Sequence, residues 1–246
     1  MKLDHVVVHI DNNENILKSL KKTIDPMGFP FEPKWGKGTK GFKAANIWIG
    51  RQYFEIIRLL RTDGGGWTDK WVRRYNNGKR GAFCLFLQVE NIDVVAKDLI
   101  SRGIGISGPE RISFKTMFGL IKKTLPWQII YLPEIPGTDL EIGFIQYDPD
   151  PNDRIKQYLV PNSDSNGIDG FSSATVQLPL NDSAKAFLQK LFPVGQLKEN
   201  SVIVQLQNGE LEFLNFPRVQ IQLKGDVSNP KVKGLSFQLE NVTFLT

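Results

Sequence analysis

Apolar and polar residues alternate with a period of two along most of this chain, and β-branched and aromatic side chains fill the apolar positions. That pattern predicts a protein built mainly of half-buried strands. Strands are expected at Leu3–Ile10, Phe42–Ile49, Gln52–Leu60, Ala82–Val89, Trp127–Tyr131, Asp139–Tyr147, Ala174–Leu180, Val202–Gln207, Leu211–Phe216, Val219–Lys224 and Gly234–Leu239. Three stretches switch to apolar spacings of three and four. They are Asn12–Ile24 (Ile16, Leu17, Leu20, Ile24), Ile92–Arg102 (Val94, Val95, Leu99, Ile100) and Ser183–Phe192 (Ala184, Phe187, Leu188, Leu191). Each predicts a helix with one face laid on a sheet. Asn12, Asn91 and Asn181 or Asp182 stand where N-caps belong.

The joints between strand and helix repeat. His5-Val-Val-Val-His9-Ile-Asp-Asn is followed by Cys84-Leu-Phe-Leu-Gln88-Val-Glu-Asn, then by Ser173-Ala-Thr-Val-Gln177-Leu-Pro-Leu-Asn. A fourth copy, Gly234-Leu-Ser-Phe-Gln238-Leu-Glu-Asn, lies near the end, and the offsets are 79, 89 and 61 residues. These periods are too long for a solenoid and fit a duplicated strand–helix–three-strand module. The expected division is a first module at 1–78, a second at 79–148, a turn-rich linker at 149–170 and a third, degenerate module at 171–246. Gly234–Leu239 would add one extra terminal strand.

Composition removes several classes of function. The chain has 246 residues, 41% of them hydrophobic and 23% charged, which is the make-up of an ordinary globule. A single cysteine rules out an internal disulfide, and two histidines rule out any centre needing three imidazoles. A net charge of +5 without a basic, aromatic stripe argues against a nucleic-acid partner. No apolar run approaches the roughly 18 residues of a membrane span. The first strand places two acids and two histidines where a signal peptide has its apolar core, so a cytoplasmic location is expected.

Alternation also groups the scarce polar residues. His5, Val7 and His9 share one face of the first strand, and Tyr53, Glu55, Ile57 and Leu59 one face of another. Ala82, Cys84, Phe86 and Gln88 form a third such row, and Asp139, Glu141, Gly143 and Ile145 a fourth. A polar group inside an apolar row needs a partner, because burying it unpaired is costly. An imidazole, a thiol and two carboxylates meeting in one cavity satisfy that need by bonding one another or by binding a divalent ion.

The repeat and its residues resemble the vicinal oxygen chelate superfamily, the glyoxalase and bleomycin-resistance fold. Four fragments carry the resemblance: Leu-Asp-His5-Val-Val-Val, Tyr-Phe-Glu55-Ile-Ile, Gly-Ala-Phe-Cys84-Leu-Phe-Leu-Gln-Val-Glu-Asn-Ile-Asp, and Ile-Tyr-Leu-Pro-Glu-Ile-Pro-Gly-Thr-Asp-Leu-Glu141-Ile. It covers residues 3–147 well and 171–246 loosely. It implies an α+β fold in which paired βαβββ modules form an incomplete eight-stranded barrel. It also implies a metal in the mouth of that barrel, held by the first and last strand of each module. Carried over position by position, the ligands would be His5, Glu55, Cys84 and Glu141. Cys84 stands where the family usually has histidine. The third unit offers Ser173 there, and its Glu212 has no fixed register.

Two outcomes follow for the cavity. An imidazole and two carboxylates suit iron(II), manganese, cobalt, nickel or zinc, and a thiolate would tilt the set towards zinc. Without a metal, His5 would bond Glu55 or Glu141, and Cys84 would be a cavity wall. His9 is a candidate supporting group or general acid/base with a near-neutral pKa. It is equally a hydrogen-bonding strand end, as Gln88, Gln177 and Gln238 are in the other repeats. Cys84 as a nucleophile lacks any marked oxyanion hole. Two basic, aromatic stretches, Trp67–Arg80 and Phe114–Trp127, are expected to cover the cavity or to be solvated loops.

The expected function is binding of a small oxygenated metabolite. With a metal as Lewis acid, Glu141 or Glu55 would shuttle a proton, in isomerase, lyase or dioxygenase chemistry. The substrate pocket would be built from His9, Tyr53, Phe86, Gln88, Arg58, Lys115 and Trp127, with Arg58 and Lys115 holding an anionic group. The alternative is a metal-free protein that sequesters a small molecule, as bleomycin-resistance proteins do. A homodimer is compatible with either.

Overall fold

The computed structural model describes residues 1–29, 41–116, 121–149 and 167–246. The first mixed sheet contains β1 (Lys2–His9), β2 (Phe42–Ile49), β3 (Gln52–Leu59), β4 (Gly81–Gln88), β5 (Ser107–Glu110), β8 (Trp127–Glu134) and β9 (Glu141–Tyr147). Its order is β2-β3-β1-β4-β9-β8-β5. β6 (Ser113–Thr116) and β7 (Ile121–Thr124) pair with each other as a separate hairpin. The second sheet contains β10 (Ile168–Leu178), β11 (Gln196–Leu197), β12 (Ser201–Leu206), β13 (Gly209–Asn215), β14 (Gln220–Val227), β15 (Ser236–Leu239) and β16 (Val242–Leu245), in the order β11-β12-β13-β10-β14-β16-β15.

The expected strands and helices are all present, with ends moved by a few residues. α1 (Glu14–Ile24) is capped by Asn13 rather than Asn12, while α3 (Ile92–Ser101) and α4 (Asp182–Leu191) are capped by Asn91 and Asn181. In each case the asparagine side chain accepts a first-turn amide N–H, at 2.9–3.0 Å. The three buried faces are Leu17/Leu20/Ile24, Ile92/Ala96/Leu99 and Ala184/Leu188/Leu191. One helix and five strands were not expected. α2 (Asp69–Asn76) lies inside a stretch read as a covering loop, and β5, β6, β7, β11 and β16 are strands of two to four residues.

The modular repeat is borne out, and each sheet has seven strands and stays open. Beyond the expected terminal strand, β16 also joins the second sheet, beside β14 and β15. The fourth sequence copy, at Gly234, is not a first strand. Its β15 pairs antiparallel with β16, and it is β14 that pairs antiparallel with β10, as β1 does with β4. The copied residues share the chemistry of a strand end running into a turn, which recurs wherever a strand stops. Read from β5, the first sheet runs β5-β8-β9-β4-β1-β3-β2, which matches the second sheet position for position. Glu212 is now placed as well. It lies on β13, the last strand of its module, opposite Thr175.

One face of the first sheet packs on the second sheet in a single apolar core. Phe54 meets Phe171, Phe237 and Phe244 edge-on, with ring centroids 5.3–5.9 Å apart. Side-chain amides fasten the sheets at their margins. Asn208 Oδ1 accepts from the Leu3 amide at 2.9 Å, and Asn241 Oδ1 accepts from the Ala82 amide at 2.7 Å. The opposite face of the first sheet carries its own cluster of Val7, Ile57, Phe83, Cys84, Phe86, Ile129 and Ile145, and Trp71 of α2 packs on it. The candidate site lies on that face.

Candidate functional site

Two irregularities in the pairing of β1 with β4 shape the site. Leu3 faces Leu87 and His5 faces Phe86, so Asp4 is an extra residue on β1. In a regular strand Asp4 and His5 would point to opposite faces, but a bulge re-aims one of them. The Asp4 carboxylate therefore reaches its own neighbour, with Oδ1 2.5 Å from His5 Nδ1. The Tyr147 hydroxyl donates to the same oxygen at 3.0 Å, and Tyr53 is hydrogen-bonded to Tyr147. Both Asp4 and His5 are buried.

The His5 ring is held between two parallel rings. Tyr53 stacks at 4.4 Å and 8°, and Phe86 at 4.3 Å and 13°. Strand register explains the stack, because His5 pairs with Tyr53 on β3 and with Phe86 on β4. Gly143, the next residue in that row, has no side chain for the Phe86 ring to meet. A Cβ there would come within 2.4 Å of the ring. Among the described residues His5 Nε2 makes no hydrogen bond, and it is not sealed from solvent-accessible space.

Glu55 sits one rung along, opposite Val7, which in turn faces Cys84; Cys84 faces Glu141. Burial pushes the Glu55 carboxyl above the usual carboxylate range, and the nearby His5 opposes this. Burial also pushes the hydroxyls of Tyr53, Tyr131 and Tyr147 well up, so they stay protonated. All four side chains remain partly accessible, as groups lining a deep recess do. A cavity of about 420 Å³ opens beside Tyr131, Glu141, Lys70 and Thr68.

The other end of this face is closed by α2. Trp71, Val72, Arg74 and Tyr75 form its buried side, and Tyr75 donates its hydroxyl to the Ile10 carbonyl at 2.9 Å. Glu141 is 2% exposed and is bound three times by this helix. Trp71 Nε1 donates to it at 3.0 Å, Lys70 Nζ lies at 2.9 Å and an Arg74 guanidinium nitrogen at 3.5 Å. The second irregularity leaves Phe83 as an extra residue, and its ring lies under the Arg74 guanidinium at 3.9 Å. His9 is fully buried against Phe83, Tyr75, Trp71 and Trp67. Its Nε2 accepts from Trp67 Nε1 at 3.3 Å, and its Nδ1 has no partner among the described residues. Burial, and then the charges of Arg74 and Arg80, hold His9 well below the normal imidazole range, so it is neutral.

The structure thus distributes the expected site residues over two ends of one face. His5, Tyr53 and Phe86 share one rung, and Glu55, Cys84 and Glu141 the next, whose Glu141 end lies under α2. His9 lies in the aromatic cage of α2. Trp127 meets Tyr147 edge-on at 6.1 Å, and Gln88 ends β4 opposite Lys2 and Ile145. Arg58 is buried and pairs with Glu14 of α1 at 2.7 Å, on the alternate face of β3 from Glu55. The Lys115 side chain lies outside the described residues. His5 is bonded by Asp4, not by Glu55 or Glu141.

The four positions that the resemblance assigns to a metal do not fit a shared ion. His5 stands one rung away from the row of Glu55, Cys84 and Glu141. Glu141 is already neutralised by Lys70 and Arg74, cations that would repel a dication. Burial, with Glu141 next, keeps the Cys84 thiol well above its usual range, so it is not a thiolate. Among the described residues no group of three or more such side chains is placed to hold an ion.

Asp4, Tyr147, Tyr131, Lys70 and Trp71 were missed from sequence. Asp4 carried a signal, an acid in the otherwise apolar row of Val6, Val8 and Ile10, but nothing marks a bulge. α2 has apolar residues at 71, 72 and 75, a spacing too brief to stand out against loop composition.

A family model described as a glyoxalase-like domain matches residues 3–192, reaching through α4. No curated protein sequence matches the chain. A crystal structure of a hypothetical protein from Staphylococcus aureus superposes with a TM-score of 0.64, at 15% identity, over 99% of this chain and 97% of that one. A hypothetical protein from Bacillus halodurans aligns at 14% identity over 62% of this chain and 98% of its own, with a TM-score of 0.44. A methylmalonyl-CoA epimerase from Streptomyces coelicolor aligns at 16% identity over 60% and 94%, with a TM-score of 0.42. The full-length superposition establishes the α+β fold of the whole chain, and the match over residues 3–192 shows that the protein belongs to the glyoxalase-like domain family.

Proposed function

We propose that the chain binds a small oxygenated molecule over the His5 stack and moves a proton between His5 and Glu55 without a metal. The observation that carries this reading is the pair itself. A buried imidazole with an unbonded Nε2 sits one rung from a carboxyl that burial keeps towards its neutral form. Such a pair supports general acid–base chemistry at a carbon next to a carbonyl. His5 Nε2 takes the C–H proton, the electron pair moves into a C=C bond, and the carboxyl of Glu55 protonates the carbonyl oxygen, giving an enol. Aromatic rings of Tyr53, Phe86 and Tyr131 wall that step.

The test is proton exchange at dihydroxyacetone, pyruvate and acetoin in D₂O, followed by NMR with a chelator present. Exchange above the buffer rate, reduced at least about 100-fold in His5→Gln and in Glu55→Gln, is the expected result. No exchange with any of the three probes rejects the catalytic reading. The engagement of Glu141 and Cys84 with α2 favours a second reading, binding without turnover. Its signature is a rise in Tm with one of the same probes and no exchange.

A further inference from the structure

We propose that Asp4 is a positioning residue that locks the tautomer of His5, so that Nε2 is always the nitrogen presented to the cavity. This rests on the reading of His5 as the proton-transfer group. A carboxylate oxygen accepts, so the 2.5 Å contact places a hydrogen on His5 Nδ1. In the neutral ring Nε2 is then the lone pair. The lock is supported from both sides. Tyr147 donates to the same Asp4 oxygen at 3.0 Å and keeps that carboxylate in place, with Tyr53 bonded behind it. The rings of Tyr53 and Phe86 prevent the imidazole from tilting off the Asp4 plane.

The bulge makes this arrangement possible. Consecutive residues of a strand are normally the pair least able to touch, yet here they form the dyad. The geometry is set by β1, by its neighbours β3 and β4, and by Tyr147 of β9. The charged and titratable groups facing His5 are Asp4 on β1, Tyr53 and Glu55 on β3, and Tyr147 on β9. Of these only Asp4 bonds the ring.

The chain has two histidines, so the experiment is clean. Imidazole ¹⁵N resonances of the intact protein, assigned with His5→Gln, report the tautomer of each ring without any ligand. The expected result is His5 wholly in the Nδ1–H form in the wild type and at least half in the Nε2–H form in Asp4→Ala. Asp4→Asn should also shift it, since an amide can donate to Nδ1. His9 resonances serve as the folding control in every variant. A wild-type His5 in the Nε2–H form, or an unchanged tautomer in a folded Asp4→Ala, overturns the proposal. A confirmed lock with no proton exchange at any probe would sink only the catalytic reading.

Discussion

The indole of Trp71 donates a 3.0 Å hydrogen bond to the carboxylate of Glu141, seventy residues further along the chain. With Lys70 and Arg74 on the same carboxylate, Glu141 anchors α2 to the sheet. A buried carboxylate with three donors is fully satisfied, and its loss strands two cations over an apolar surface.

Glu141→Ala should therefore lower stability by about 3–5 kcal/mol, the range for breaking a buried ion pair from one side. The measurement is a urea transition whose midpoint falls with an unchanged slope. Lys70→Ala removes only a 39%-exposed partner and should cost about 1 kcal/mol or less. A large effect from Lys70 and none from Glu141 would contradict the anchoring role.

Trp71→Ala should cost about 3–5 kcal/mol, because the indole is 1% exposed and leaves a cavity. The same change should let water reach His9. Its imidazole, held neutral in the wild type by burial, should then titrate closer to the ordinary imidazole range in a ¹H NMR series. A His9 that stays silent in the folded variant would show that its cage does not depend on Trp71.

His9 gives stability a definite sign with pH. Its folded-state pKa lies below the unfolded value near 6.5, so the unfolded chain binds the extra proton. The contribution is complete above about pH 6.5 and is lost as pH falls below it, towards the folded pKa. His9→Phe should flatten that acid slope in urea melts between pH 7 and 5. An equally steep slope in the variant would assign it to other groups.

Glu55 acts with the opposite sign. Its folded pKa is raised, so its contribution is full below the unfolded carboxyl range and is lost as pH rises through the folded value. Glu55→Gln should gain on the wild type between pH 4 and 7. The gain is read as a difference in urea midpoint that grows with pH and then levels off.

How much of this was legible in the sequence follows from the periods involved. Period-2 alternation placed eleven strands, and spacing of three and four placed three helices, because both faces of each element answer to one apolar core. The side-chain rows were likewise correct for Tyr53, Glu55, Cys84 and Glu141. What failed was register. A one-residue bulge at Asp4 changes what His5 touches while leaving every residue type in place, and alternation carries no record of it. α2 failed for a different reason, since eight residues held by one distant carboxylate owe little to local propensity.

Gln52 tests the joint between the sheets. Its side chain donates to the Leu3 carbonyl and accepts from the Phe171 amide, both at 2.5 Å. Gln52→Ala leaves the buried Phe171 amide without that partner, while Asn208 still donates to the Leu3 carbonyl, and should cost about 1–3 kcal/mol. Hydrogen exchange at the Phe171 amide should accelerate with it. An unchanged exchange rate would mean the joint is held elsewhere.

The core shared by the two sheets also has a meaning in time. During synthesis the first sheet is made before the strands that cover Phe54, which begin at Ile168. At about 5–20 residues per second, the remaining stretch takes roughly 4–20 s. For that interval the nascent chain displays an uncovered apolar wall, the kind of surface that holdase chaperones bind.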